Sequence, residues 1–462
     1  GPSGDEQDAV LEGSVDAELW VKRRERGDRV RLRARVRPGP PLTIDLEALD
    51  LHLRGLRASL PRPAHIELAG RRVAVDDLAL LAAGGRISVA GHADLDDRSD
   101  LRVAIARVQL APLVALVPQL RGQLAGQIDA TATLEGLAHS PALKLELRGR
   151  RLRYRDGTLG DLDLGAQVGA GRGRAALAVR GPLAAHLTAT GELPLKLDLA
   201  RGEFAVPRGP IHLELDVKDL RLVELRRWLG QDSLPLGRID AQVAIDGQAA
   251  RPTTTATVRG RGILIGGDET PGSFDLTLSQ KSGEDALARL DAQRLGARLR
   301  LDVPRLPVRV DLVERGLRWR PEERHTVTLV LRDFDLWRQL GSVLPGNKYY
   351  GRIEVDGGID GPMTEPALQL RVTGEGLRAR DAQLGDLRAD LKLDHRLATL
   401  DVALRGELIA SGKLHAEVPL RIAPARGELA WLKDQPHVLD AKVERFDLTR
   451  LKALGVTARL DG

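Results

Sequence analysis

Apolar and polar residues alternate along most of this chain. Ile128, Ala130, Ala132 and Leu134 interleave with Asp129, Thr131, Thr133 and Glu135. Leu143, Leu145 and Leu147 interleave with Lys144, Glu146 and Arg148. The rhythm returns at Ile239, Ala241, Val243 and Ile245, then at Ile353, Val355 and Ile359, and at Leu368, Leu370 and Val372. It returns again at Leu391 and Leu393, and at Leu400, Val402 and Leu404. A period of two predicts strands with one apolar and one solvated face. Antiparallel sheets tolerate that arrangement, whereas parallel sheets are covered on both faces. Turn signals such as Asp156-Gly157 and Gly181-Pro182 break the runs at short intervals, which suits a meander of hairpins.

The pattern also repeats on a longer scale. GQIDATATLEG from Gly126, GRIDAQVAIDG from Gly237 and GRIEVDGGIDG from Gly351 are copies of one opening, and GSVDAELWVK from Gly13 is a fourth, weaker one. The openings are 113, 111 and 114 residues apart. In the three strong copies a second Gly (Gly136, Gly247, Gly361) and then a Pro (Pro141, Pro252, Pro366) follow; these residues are expected to specify turns and strand ends. A short helical stretch precedes each opening, with Leu110, Leu222, Leu336 and Leu448 in register. Asp335 and Asp447 stand where a helix N-terminus takes a capping carboxylate. Upstream, TGELPLKLDL from Thr190 resembles SGKLHAEVPL from Ser411. Four repeats follow, 5–125, 126–236, 237–350 and 351–462, with helices near 108–118, 220–230, 334–343 and 446–454 and no independent globular domains. Residues 1–4, GPSG, resemble the scar left by cleaving an expression tag.

At 462 residues the chain is too long for one hydrophobic core, and stacked repeats are the alternative to division into domains. The expected fold is all-β: an elongated antiparallel sheet curled into a U-shaped, taco-like apolar groove. With roughly nine or ten strands per repeat at ~4.8 Å, each repeat advances roughly 45 Å.

Composition narrows the chemistry. The 70 basic and 65 acidic residues nearly cancel, and basic runs such as Arg29 to Arg37 alternate with apolar residues, which reads as a solvated strand face and not a nucleic-acid site. The absence of cysteine excludes disulfides and thiolate metal sites. No apolar run is long enough to span a bilayer as a helix. The RGELIASGKL segment lacks phosphate-loop spacing, and Leu414 stands where Ser or Thr would hold magnesium. The ten histidines are scattered singly and read as solvent-facing, without metal-ligand spacing. No catalytic residue, cofactor or metal is expected; the chain reads as a non-enzyme.

What remains is the apolar face. Aromatic residues are only 3% of the chain, whereas packed β cores use aromatics for volume. A long apolar face cannot meet water alone. Hydrocarbon tails fit it, because each buried methylene contributes ~0.8 kcal/mol. The expected lining is the set of alternating residues named above. Two rival readings stand beside a lipid conduit. One is a binding or assembly module that pairs extended segments of client proteins with exposed sheet edges. The other is a structural stalk of sealed sandwiches.

The openings with Pro252 and Pro366, the GELPLKLDL run from Gly191, the RGPIHLELDVKDLRLVELRRWL stretch and the FDL segments at Phe334 and Phe446 resemble the AsmA-like family, TamB-type. That resemblance implies a periplasmic β trough, an inner-membrane anchor N-terminal to it, an outer-membrane barrel partner contacted elsewhere, and phospholipid as the cargo.

Overall fold

The computed structural model describes residues 13–19, 29–53, 55–117, 122–264, 270–311, 316–340, 349–379, 382–394, 396–407, 409–423, 428–432 and 435–446. The chain divides into an N-terminal unit, residues 1–234 with 244–249, and a C-terminal unit, residues 235–243 with 250–462.

In the N-terminal unit β1 (Gly13–Leu19), β2 (Arg29–Arg37), β3 (Leu42–Leu53), β4 (Leu56–Ser59), β5 (Ala64–Ala69), β6 (Arg72–Ala82), β7 (Gly85–Asp94) and β8 (Arg98–Gln109) lead to α1 (Leu110–Val114). There follow β9 (Leu124–Leu137), β10 (Ser140–Tyr154), β11 (Gly157–Gly169), β12 (Arg172–Arg180) and β13 (His186–Pro194). A small hairpin, β14 (Lys196–Asp198) and β15 (Glu203–Ala205), precedes β16 (Pro210–Arg221) and α2 (Leu222–Leu229).

The next strand, β17 (Leu236–Gln248), contributes residues to both units. In the C-terminal unit β18 (Arg251–Leu264), β19 (Gly272–Gln280), β20 (Ala286–Arg294) and β21 (Ala297–Leu306) precede the hairpin β22 (Val308–Asp311) and β23 (Gly316–Trp319). Then come β24 (Arg324–Asp335), α3 (Leu336–Leu340), β25 (Tyr349–Pro362), β26 (Ala367–Ala379), β27 (Ala382–Asp394) and β28 (Leu397–Arg405). The last described strands are β29 (Ile409–Ala423), β30 (Glu428–Trp431) and β31 (Val438–Phe446). The fold is all-β, and the strands pair antiparallel, mostly with their sequence neighbours.

Three pairings skip a hairpin: β13 with β16, β21 with β24 and β29 with β31. Each skipped excursion opens on an apolar-Pro-apolar step at Leu193-Pro194-Leu195, Leu306-Pro307-Val308 or Val418-Pro419-Leu420. The Leu195 N–H donates to Gly171 O at 2.9 Å, and the Leu420 N–H donates to Arg396 O at 2.7 Å. Equivalent residues are therefore 225 apart, so Thr190 does not correspond to Ser411; the register equates Ser411 with His186, which stand opposite Glu444 of β31 and Lys218 of β16.

The three described helices start at Leu110, Leu222 and Leu336. Asp335 caps α3, its Oδ1 accepting from the Arg338 N–H at 3.0 Å. Gly230, at φ 67°, ends α2. The helix expected near 446–454 lies outside the described residues. Ahead of the three described helices the strand holds a left-handed residue, Arg107, Asp219 or Asp333, with φ of 53°, 54° and 54°, and the register shifts beside Arg107 and Asp333, which marks a bulge at each. Such a bulge leaves an amide unpaired. At the first, the Arg107 N–H donates to Asp129 Oδ1 at 2.8 Å. Arg151 and Gly376 reach Asp161 and Asp386 in the same way, at 2.8 and 3.0 Å.

The repeated glycines divide into two kinds. Gly136, Gly247 and Gly361 take positive φ near the strand ends, and Pro141, Pro252 and Pro366 are buried just beyond the turns. Gly126, Gly237 and Gly351 do not mark turns. They sit within the first three residues of β9, β17 and β25, at φ 126°, 127° and 117°. A buried side chain from the adjacent strand, Leu152, Ile263 or Leu377, fills the space their own would need.

Burial concentrates near strand ends. Val108, Pro252, Pro307 and His325 are the largest fully buried side chains, and Leu56, Ala83 and Val108 form a small cluster beside α1. Strand centres are half-buried on one face and exposed on the other, as in β10, where Leu143, Leu145 and Leu147 alternate with exposed Lys144, Glu146 and Arg148.

Candidate functional site

Directly opposed residues of an antiparallel pair share a face of the sheet. Following the register across the N-terminal unit gives one unbroken apolar row. It runs Leu80, Ile87, Ile105, Ala130, Leu147, Leu164, Leu177, Ala189, Leu215, over nine strands. Eight strand spacings make it roughly 38 Å long. In the C-terminal unit a second row runs Val258, Leu276, Leu290, Leu301, Leu329, Gly357, Leu370, Leu391, Leu400, Ala416, Leu439. Ten spacings make this one roughly 48 Å long.

The register sets many of the residues expected to line the groove across from one another or from other apolar residues. Ile128, Ala130, Ala132 and Leu134 of β9 stand across from Gly149, Leu147, Leu145 and Leu143 of β10. Val355 and Ile359 stand across from Val372 and Leu368. Leu391 and Leu393 stand across from Leu400 and Ala398. Val402 and Leu404 stand across from Ala389 and Leu387, and Ile353 is opposite Phe334 beyond the bulge. Ile239 and Val243 lie in the C-terminal unit and Ile245 in the N-terminal unit, all three half-buried. Of the whole set only Leu393 is buried, at 4% exposure; every other member is half-buried. A second sheet packed ~10 Å away would bury such side chains fully. Their partial exposure means that neither face is sealed.

The opposite face is an ionic lattice. Arg371 and Arg388 both donate to Asp390, at 2.5 and 3.0 Å, and hold its carboxyl below the ordinary range. Arg324 lowers Asp360 in the same way. Arg298 donates to Asp333 at 2.6 Å and lowers it too. Shallow clefts lie among these side chains, one of about 720 Å³ lined by Asp356, Asp360, Arg371, Asp390 and Lys392. Carboxylates held ionised by guanidinium partners, as Asp333, Asp360 and Asp390 are, are poor proton donors at neutral pH.

Three histidines share one arrangement, which the sequence did not single out. His65 meets Asp45 at 2.6 Å and Glu67 at 3.1 Å. His212 lies between Asp246 and Glu214, and His415 between Asp401 and Glu417. In each, the hydrogen bond to the cross-strand Asp raises the imidazole above its ordinary value. Both ring nitrogens are engaged, which suits a strand-to-strand clamp and not a metal ligand. No group of three or more potential metal ligands occurs among the described residues.

His325 departs from the solvent-facing expectation. It is fully buried, with Nδ1 2.7 Å from Glu323 O and its ring 6.1 Å from that of Trp319. The pair recurs 112 residues later as His437 and Trp431, 5.9 Å apart, at the foot of the next excursion hairpin. The alignable signal was the preceding apolar-Pro-apolar step. No helix among the described residues is long and apolar enough to cross a membrane. Comparison of the chain with protein-family models and with curated proteins finds no match.

Proposed function

We propose that this chain carries phospholipid, with acyl chains lying along the apolar faces of its sheets and head groups kept toward water. The observation that carries the reading is the pair of unbroken apolar rows whose side chains are half-buried, apart from the buried Ala416 and the exposed Leu439 at the far end of the second row. A tail of about 16 carbons gains on the order of 12 kcal/mol when covered, close to what a bilayer offers, so loading and release are both accessible. Head groups left at an open margin avoid the cost of desolvation. The lining residues act by shape and apolarity, and no bond is made or broken. The resemblance to TamB-type AsmA-like proteins supports the same reading. It would put the chain in the periplasm, with an inner-membrane anchor and an outer-membrane barrel partner as further elements of the proposal.

Solvent extraction of the purified chain tests this. Co-purifying phospholipid is expected. Leu145→Asp with Leu147→Asp, or Leu370→Asp with Leu391→Asp, should abolish it in variants whose circular dichroism is unchanged. Lipid content unaffected by these charges in folded protein would overturn the reading.

A further inference from the structure

The three excursion hairpins, β14–β15, β22–β23 and the one that folds β30 onto the end of β29, each carry an exposed aromatic ring on the return strand. Phe204, Trp319 and Trp431 are exposed at 56%, 58% and 56%. Trp319 and Trp431 hold one register, opposite Val308 and Leu420, the residues that follow Pro307 and Pro419. Phe204 lies nearer its tip, opposite Leu197. An Arg-Gly pair precedes each ring in the sequence, at Arg201-Gly202, Arg315-Gly316 and Arg426-Gly427. The whole chain has only five Trp, three Tyr and four Phe, so a ring kept in all three hairpins, where exposure gives it little packing to do, marks a surface role.

The feet of the hairpins are fixed. Pro307 and His325 are fully buried, and the buried Gln280 donates from Nε2 to Val308 O at 2.9 Å. In the N-terminal unit the Leu199 N–H donates to Ala138 O at 2.7 Å. The rings are therefore presented on ordered backbone.

Charge and spacing select the partner. Around Phe204 the hairpin is basic: Lys196, Arg201 and Arg208 are exposed against one exposed carboxylate, Glu203, while Asp198 is buried and accepts from the Arg201 N–H at 3.1 Å. In the C-terminal unit β21 and β29 run in the same direction, six strand spacings apart, so both Trp hairpins leave one margin roughly 29 Å from each other. Leu287 and Leu397, exposed at 44% and 41%, stand at strand starts beside these two hairpins. Rings set this far apart do not form the contiguous patch of about 1,000 Å² that a stable protein partner needs. A bilayer surface receives each ring separately: aromatic rings settle at the head-group level, and anionic lipid attracts Lys and Arg held near it.

We propose that the excursion hairpins dock the chain on an anionic phospholipid bilayer, with Phe204, Trp319 and Trp431 entering the interfacial layer. This goes beyond the carriage of lipid, because docking holds whether or not acyl chains occupy the apolar faces.

Vesicles of equal parts phosphatidylcholine and phosphatidylglycerol are the probe. The full chain should float with them, and more weakly with phosphatidylcholine alone. In a variant carrying Trp20→Phe, Trp228→Phe, Trp337→Phe and Trp431→Phe, the emission of Trp319 should shift to the blue on mixing and be quenched by brominated acyl chains. Phe204→Ser, Trp319→Ser and Trp431→Ser together should weaken vesicle binding by about tenfold or more, with circular dichroism unchanged because the rings are exposed. Leu145→Asp with Leu147→Asp should leave vesicle binding as it is, which separates a failure of docking from a failure of lipid carriage. Absence of flotation with the mixed vesicles, or an unshifted and unquenched Trp319, would overturn the proposal and turn the hairpins over to a protein partner. Equal binding to phosphatidylcholine alone, or full affinity after the triple substitution, would overturn it as well.

Discussion

Leu152 occupies the space into which Gly126 would project a side chain: a Cβ built on Gly126 lies 2.8 Å from Leu152 Cδ2. Ile263 stands in that relation to Gly237 at 2.8 Å, and Leu377 to Gly351 at 2.9 Å. Each glycine also holds a φ that L-residues rarely adopt. Forcing such a backbone costs on the order of 1–3 kcal/mol. Gly126→Ala and Gly351→Ala should each lower the unfolding free energy by at least that much, measured by urea denaturation followed by circular dichroism. Adding Leu152→Ala to Gly126→Ala should restore little, because the clash is relieved but the strained φ and a new cavity remain.

The His415–Asp401 contact, 2.7 Å long with Glu417 on the other ring nitrogen, makes stability depend on pH. The hydrogen bond to Asp401 raises the imidazole above its ordinary value. A group raised in the folded state contributes fully below its unfolded value and loses that contribution as pH rises through the folded value. His65 and His212 act with the same sign. Stability should therefore decline as pH rises from about 6.5 toward alkaline values. Replacing all three with Gln should flatten that decline, as followed by thermal unfolding across the pH range.

The alternation in Leu143 to Leu147 made both faces of β10 legible, because a strand's period of two survives any later packing. The opening glycines were legible as a repeat but not as what they are: the filling side chain, Leu152 or Leu377, lies about 26 residues downstream and across a register shift. The bulges at Arg107 and Asp333 left no composition signal, since the residue type at the left-handed position differs from copy to copy. The histidine clamps were hidden for a related reason. His212 and Asp246 are 34 residues apart and meet only through tertiary register.

Thr254 is buried at 6% exposure, and its Oγ1 has no hydrogen-bond partner. A buried hydroxyl without a partner forfeits its hydration for nothing in return, at about 1–3 kcal/mol. Valine has nearly the same shape without the hydroxyl. Thr254→Val should raise stability by roughly 1 kcal/mol, whereas Thr254→Ala should not, because it trades the unmet hydroxyl for a cavity. Chemical denaturation of the two variants side by side separates these outcomes.

An apolar face left open in the native state should take up an apolar dye without any loss of structure. Leu147 and Leu164 stand directly opposite each other, both half-buried, on the row of the N-terminal unit. Leu391 and Leu400 do the same in the C-terminal unit. In compact proteins with sealed cores, strong binding of anilinonaphthalene sulfonate marks loosened packing and accompanies lost near-ultraviolet dichroism. Here the dye should bind while that dichroism is fully native, and binding should disappear on unfolding. Leu147→Asp with Leu164→Asp should reduce it in the folded variant, and so should prior incubation with a long-chain phospholipid. The exposed polar face supplies the control: Arg148 and Asp163 oppose each other one residue away from that pair. Replacing both with Ser should leave dye binding unchanged, because only the apolar side offers surface that water leaves readily.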